Sequence, residues 1–158
     1  MDRVKESIYN VLGPDIENAT VLDLFAGCGS LGIEALSRGA RSVTFVDTHP
    51  AAIDSLTKNI TNLDISSQTS ILRKDVVSAI GVFALKKQEF DLILMDPPYG
   101  TDITKKTLMK IYGSDILARN GNLVIEHSAH DELPFSKSVE IITHKEFGET
   151  RVTFLTKL

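Results

Sequence analysis

The sequence predicts an α/β domain built on a doubly wound, mostly parallel sheet. Three observations carry this. Short apolar or β-branched runs alternate with stretches of helical period, which implies parallel pairing with helices on both faces. Four of the runs show little internal alternation, as strands covered on both faces do. The last two runs have no helix between them, which marks a terminal hairpin with at least one antiparallel strand.

The elements follow in order. Val4, Ile8, Val11 and Leu12 recur at helical spacing and predict a short amphipathic helix ahead of the first strand. Strands are expected over 20–25, 42–47, 69–73, 90–95 and 122–126, with helices over 31–37, 50–63, 76–85 and 103–112. In the second of these helices Ile53, Leu56, Ile60 and Leu63 share one face, and Pro50 suits its first turn, where a missing N–H costs nothing. Gly39 stands where a left-handed cap would end the preceding helix. The closing hairpin spans 139–145 and 151–156, joined across Phe147-Gly148-Glu149. With 158 residues and no linker, repeat or low-complexity tract, a single domain over 1–158 is expected.

Composition narrows location more than function. The N-terminus, Met1-Asp2-Arg3-Val4-Lys5-Glu6, is charged and lacks the apolar core of a signal peptide, and no apolar run approaches the ~20 residues that span a bilayer. A lone cysteine, Cys28, cannot form an internal disulfide and suits a reducing cytosol, so a cytoplasmic protein is expected. Cys28 is assigned a packing role, there being no histidine near it in sequence to activate it. His49, His127, His130 and His144 lack metal-ligand spacing, and no metal is expected. The net charge of −4 argues mildly against nucleic acid, although a local basic cluster can bind phosphate on an acidic protein. Lys86-Lys87 and Lys105-Lys106 are candidate patches, but lysine pairs on helices are usually just solvated.

The first strand runs into Gly27-Cys28-Gly29-Ser30-Leu31-Gly32, a G-x-G-x-x-G turn at a helix start, and Asp47 follows 20 residues after Gly27. A carboxylate there can accept both hydroxyls of an adenosine ribose. Charge separates the two main nucleotide-like ligands. A dinucleotide brings a pyrophosphate and wants no carboxylates nearby. Here Asp23, Asp47, Asp75 and Asp96 are expected near the ends of successive strands, and no Lys or Arg occurs between Val21 and Gly32. Such an acid-lined rim fits the sulfonium and ammonium of S-adenosylmethionine better. Asp75 also suits a helix N-cap.

The most specific motif is Asp96-Pro97-Pro98-Tyr99, followed by Gly100. Two prolines stop the strand and hold the chain rigidly, so the acid and the ring have fixed directions. Asp96 and the Pro97 carbonyl can accept both hydrogens of an exocyclic amino group, and Tyr99 offers a face on which a base can stack. The amino nitrogen is conjugated to its ring and is a poor nucleophile. Two acceptors aimed at its hydrogens favour a pyramidal nitrogen with its lone pair free.

At these residues the chain resembles class I methyltransferases, and the tetrad looks like that of enzymes acting on amino groups of DNA, RNA or glutamine. Asp2-Arg3-Val4-Lys5-Glu6, Leu22-Asp23-Leu24-Phe25-Ala26-Gly27 and Leu31-Gly32-Ile33-Glu34-Ala35-Leu36-Ser37-Arg38-Gly39-Ala40 resemble the RsmD family over nearly the whole chain. These are guanine-N2 methyltransferases of small-subunit (16S) ribosomal RNA. The resemblance implies a Rossmann-like, seven-stranded sheet with an antiparallel last strand, S-adenosylmethionine as cofactor, and ribosomal RNA in the small subunit or its assembly intermediate as partner. It places Asp23, Gly27 and Gly29 at the methionyl part, Asp47 at the ribose and Asp75 with Val76 at the adenine. Phe25 and Thr48 join the cofactor-binding positions, and Asp96, Pro97, Pro98 and Tyr99 hold the target base. Arg3 and Lys5 match the family's N-terminal helix. The family usually carries a basic β-hairpin before that helix, whereas this sequence begins at the helix. Without a hairpin, cofactor binding is expected to survive better than RNA methylation. Alternatives are an adenine-N6 or glutamine methyltransferase, a nicotinamide-dependent dehydrogenase, and a non-catalytic RNA-assembly factor.

Overall fold

A computed structural model describes residues 2–99 and 102–158. Met1 and Gly100, both part of the sequence motifs above, lie outside the described residues. Helix α1 (Asp2–Leu12) precedes β1 (Thr20–Leu24), α2 (Ser30–Ser37), β2 (Ser42–Asp47), α3 (Pro50–Leu63), β3 (Thr69–Arg73), α4 (Val76–Leu85) and β4 (Phe90–Met95). Helix α5 (Ile103–Tyr112) leads to β5 (Leu117–Ser128), β6 (Val139–Phe147) and β7 (Thr150–Lys157). The seven strands form one sheet in the order β3-β2-β1-β4-β5-β7-β6. Strands β1 to β5 pair in parallel. The β6–β7 hairpin folds back so that β7 lies antiparallel between β5 and β6. The doubly wound sheet with an antiparallel C-terminal strand is therefore present as predicted.

Alternation along the strands sorts the core into two layers. Val21, Val43, Phe45, Leu92 and Leu94 pack under α1, α2 and α3. Leu22, Leu24, Val46, Ile93 and Met95 pack on the other face, with Val76, Ala79, Ile80 and Phe83 of α4 and Leu108 and Ile111 of α5. Because successive strand residues point to opposite faces, a parallel strand buried on both must be apolar throughout. Tyr9 fixes α1 to this frame: it is buried, its hydroxyl donates to the Leu31 carbonyl at 2.6 Å, and Arg38 lies over its ring. Among the described residues no helix is long and apolar enough to cross a membrane.

Several element ends fall a residue or more from expectation, and two of these shifts have a local backbone cause. Strand β1 ends at Leu24, since Phe25 adopts φ +59° and leaves the extended conformation. Strand β5 begins at Leu117, five residues before the predicted start, and the β4–β5 register shifts between Phe90 and Leu92. The extra residues include Asn120 at φ +65° and Gly121, which reads in sequence as a turn rather than as an irregularity within one strand.

Candidate active site

The carboxyl ends of β1 and β4 lie side by side at the centre of the sheet, where an open α/β sheet offers a crevice. A cleft of about 630 Å³ occupies this place. One wall carries Phe25, Asp47, Thr48, Asp75 and Val76; the opposite wall carries Asp96, Pro97, Pro98 and Tyr99. Nine of the twelve residues singled out by sequence thus line one cleft. Among the described residues lining it there is no Lys or Arg.

The glycine turn is held by backbone bonds. After Phe25 turns the chain out of β1, Ala26 N donates to Val46 O at 3.0 Å and Gly29 N donates to Ala26 O at 2.9 Å. Gly27 N donates to Asp47 Oδ2 at 2.8 Å, and His49 N donates to Asp47 Oδ1 at 2.9 Å. Each Asp47 oxygen keeps one acceptor position, enough for the two hydroxyls of a ribose. Gly29 is at φ +89°, and a Cβ there would stand 2.3 Å from Leu56 Cδ1. Gly32 lets α2 pack directly on the sheet, since a Cβ would stand 2.5 Å from Phe45 Cε1 and 2.8 Å from Val43 Cγ1. Asp75 caps α4, its Oδ2 accepting from Ser78 N at 2.9 Å, as its position suggested.

Asp23 departs from the expected rim. The period of two puts it on the same face as Val21, beneath α2, where it is 2% exposed and its Oδ2 accepts from Gly32 N at 3.0 Å. Burial pushes its carboxyl up to about 8, the Gly32 bond working against that rise. The acidic character of the cleft therefore comes from Asp47, Asp75 and Asp96, and Asp23 supports the turn from below. Gly27 and Gly29 shape that turn without lining the cleft. Cys28, assigned a packing role by sequence, is exposed; its carbonyl accepts from Asn59 Nδ2 at 3.0 Å.

On the opposite wall, Tyr99 is 55% exposed and its hydroxyl is 3.0 Å from Thr150 Oγ1 at the start of β7. That bond ties the ring to the hairpin and leaves its surface open. Partial desolvation raises Asp96 above the usual carboxylate range. Beside it stands Glu126, near the carboxyl end of β5, whose carboxyl burial and the adjacent Asp96 push up to about 6. Glu126, behind Asp96, was not singled out by sequence, nor were His49 and Ile103, which line the cleft. Of the basic candidates, Arg3 lies over the Phe147 ring, while Lys5 Nζ is 3.3 Å from Ser30 Oγ and 3.7 Å from Glu34 Oε1. Lys86, Lys87, Lys105 and Lys106 are exposed.

Residues 1–156 match the model of the family described as conserved hypothetical protein 95. The chain belongs to that family. A relative within reach is the protein YlbH of Bacillus subtilis (strain 168), 38% identical over 157 residues, covering 99% of this chain and 85% of YlbH. Another, 31% identical over 151 residues, is the ribosomal RNA small subunit methyltransferase D of Haemophilus influenzae, with 93% and 76% of the two chains covered. Membership bears out the RsmD resemblance read from the sequence. Among solved structures, a conserved hypothetical protein of Streptococcus pyogenes superposes with a TM-score of 0.88 at 28% identity, over 98% of this chain and 95% of that one.

Proposed function

We propose that this single domain is an S-adenosylmethionine-dependent methyltransferase acting on the exocyclic N2 amino group of a guanine in small-subunit (16S) ribosomal RNA. The observation that carries the reading is the meeting, across one cleft, of the Asp47–Asp75 wall with the rigid Asp96-Pro97-Pro98-Tyr99 edge. An acid-lined, lysine- and arginine-free cleft favours a cationic cofactor over a dinucleotide. The likeness to a named ribosomal RNA methyltransferase supports the substrate class.

S-Adenosylmethionine, when bound, supplies a methyl group whose bond to sulfur breaks as the bond to nitrogen forms, leaving a neutral thioether. In this reading Asp47 accepts the ribose hydroxyls, Val76 packs against the adenine, and the Gly27–Gly29 backbone meets the methionyl part, with Phe25 and Thr48 beside it. Tyr99 stacks the flipped base. Asp96 and the Pro97 carbonyl accept the two amino hydrogens, which frees the nitrogen lone pair and aims it. The proton shed by the nitrogen passes to Asp96, the acceptor already bonded to it.

The test uses labelled methyl donor with unmethylated small subunits, followed by digestion and separation of nucleosides. Label in N2-methylguanosine is expected. Label in N6-methyladenosine, or none in RNA, would overturn the assignment of base and substrate.

A further inference from the structure

Asp96 and Glu126 stand at the carboxyl ends of neighbouring strands. The β4–β5 register pairs Met95 with Ile125, so the next residues of the two strands stand side by side. Their carboxyl groups are neighbours, Asp96 exposed at the cleft and Glu126 half-buried one strand further toward β7. The transfer described above uses Asp96 and leaves Glu126 without a role.

A half-buried carboxyl beside a second carboxyl is costly unless a donor satisfies it. The edge of guanine that carries the reacting amino group supplies such a donor. Its N1–H lies next to the N2 amino group, two donors in a row, facing two acceptors in a row. Adenine puts a lone pair at the ring nitrogen beside its amino group, and cytosine does the same.

We infer that Glu126 reads the target base, its carboxylate accepting N1–H of guanine while Asp96 accepts an N2 hydrogen, so that the pair selects guanine over any base with a lone pair at that ring position. The inference rests on the guanine-N2 reading of the cleft and adds the residue that enforces it. With its carboxyl raised to about 6, Glu126 is ionised at neutral pH and available to accept. A base with a lone pair there would face a carboxylate with no proton between them. Sites built to bond a substrate N–H reject analogues lacking it strongly.

The experiment compares guanine with 2-aminopurine, which keeps the N2 amino group but has a lone pair at N1. The guanine labelled in small subunits is mapped first. Synthetic 16S segments bearing either base at that position are then ligated into RNA and assembled. Wild type is expected to favour guanine by about 100-fold in kcat/KM. In Glu126→Gln the amide can accept from guanine N1–H or donate to the lone pair of 2-aminopurine, and the preference should fall to within about 10-fold. Glu126→Ala should narrow it too, by losing the guanine arm. Both variants are checked for unchanged cofactor binding by equilibrium titration, which a folding defect would alter. Because 2-aminopurine also lacks O6, only the change in ratio between wild type and variant bears on Glu126. If wild type methylates guanine and both folded variants keep the full preference, the role of Glu126 is overturned while the guanine reading stands. If wild type yields no N2-methylguanosine at all, the guanine reading falls and takes this inference with it.

Discussion

The two walls of the cleft treat their carboxyl groups in opposite ways. On the glycine-turn side, Asp23, Asp47 and Asp75 are bonded to backbone N–H groups of Gly32, Gly27, His49 and Ser78. On the Asp96 side, the carboxyl of Asp96 faces another carboxyl, that of Glu126. Backbone N–H groups cannot leave, so the first wall is fixed before any ligand arrives. Two carboxyls facing each other gain from a molecule that brings donors, so the second wall is completed by what binds there. The difference separates a wall that holds shape from a wall that does chemistry.

The sharpest way to break this comparison is Asp96→Ala. Turnover should fall about 1,000-fold, the scale of losing one well-placed polar group in a transition state, while cofactor affinity measured by titration stays nearly unchanged. Retained turnover would move the chemistry elsewhere. The opposite wall is tested through stability. Gly32→Ala drives a Cβ into Phe45 and Val43 and should cost about 1–3 kcal/mol in urea unfolding. Tyr99→Ala removes the stacking face and should raise KM for RNA about 10-fold, on the scale of ~1–3 kcal/mol per stacked base. Tyr99→Phe keeps the ring and should behave much more like wild type.

A pH-dependent effect concerns Asp23. Its folded carboxyl titrates near 8, above the ordinary 3.8, so folding favours the protonated form. Stability from this group is fully present below about pH 4 and is lost as pH rises through about 8. Asp23→Asn carries no such proton. The urea midpoint of wild type should therefore decline relative to the Asn variant across that window. Parallel midpoints would mean that Asp23 is ionised throughout and that the turn is held differently.

Much of this was legible in the sequence because the signals were local. Apolar runs and helical period located the strands and helices, and the paired prolines marked the tetrad after β4. What escaped depended on distance or direction. Glu126 lies near the end of an apolar strand with nothing beside it in sequence to flag it; its neighbour Asp96 is supplied by the β4–β5 register. Asp23 carries a local signal for its place: it shares a face with Val21, opposite Leu22 and Leu24, and so belongs under α2. The early start of β5 was hidden by Asn120-Gly121, whose turn chemistry is real but is absorbed within the strand.

The pairing of β1 with β4 has a consequence for how the cleft comes into being. At the far ends of these strands, Asp91 Oδ2 accepts from Thr20 N at 2.9 Å, a bond between residues 71 apart in sequence. Bringing such distant segments together costs chain entropy before the contacts repay it. The two walls belong to the two sides of that seam, so an unjoined chain has a glycine turn on one part and a tetrad on another, with no cleft between them. A molecule that grips both walls binds only the joined sheet, and its presence must raise the chain's resistance to unfolding as its concentration rises.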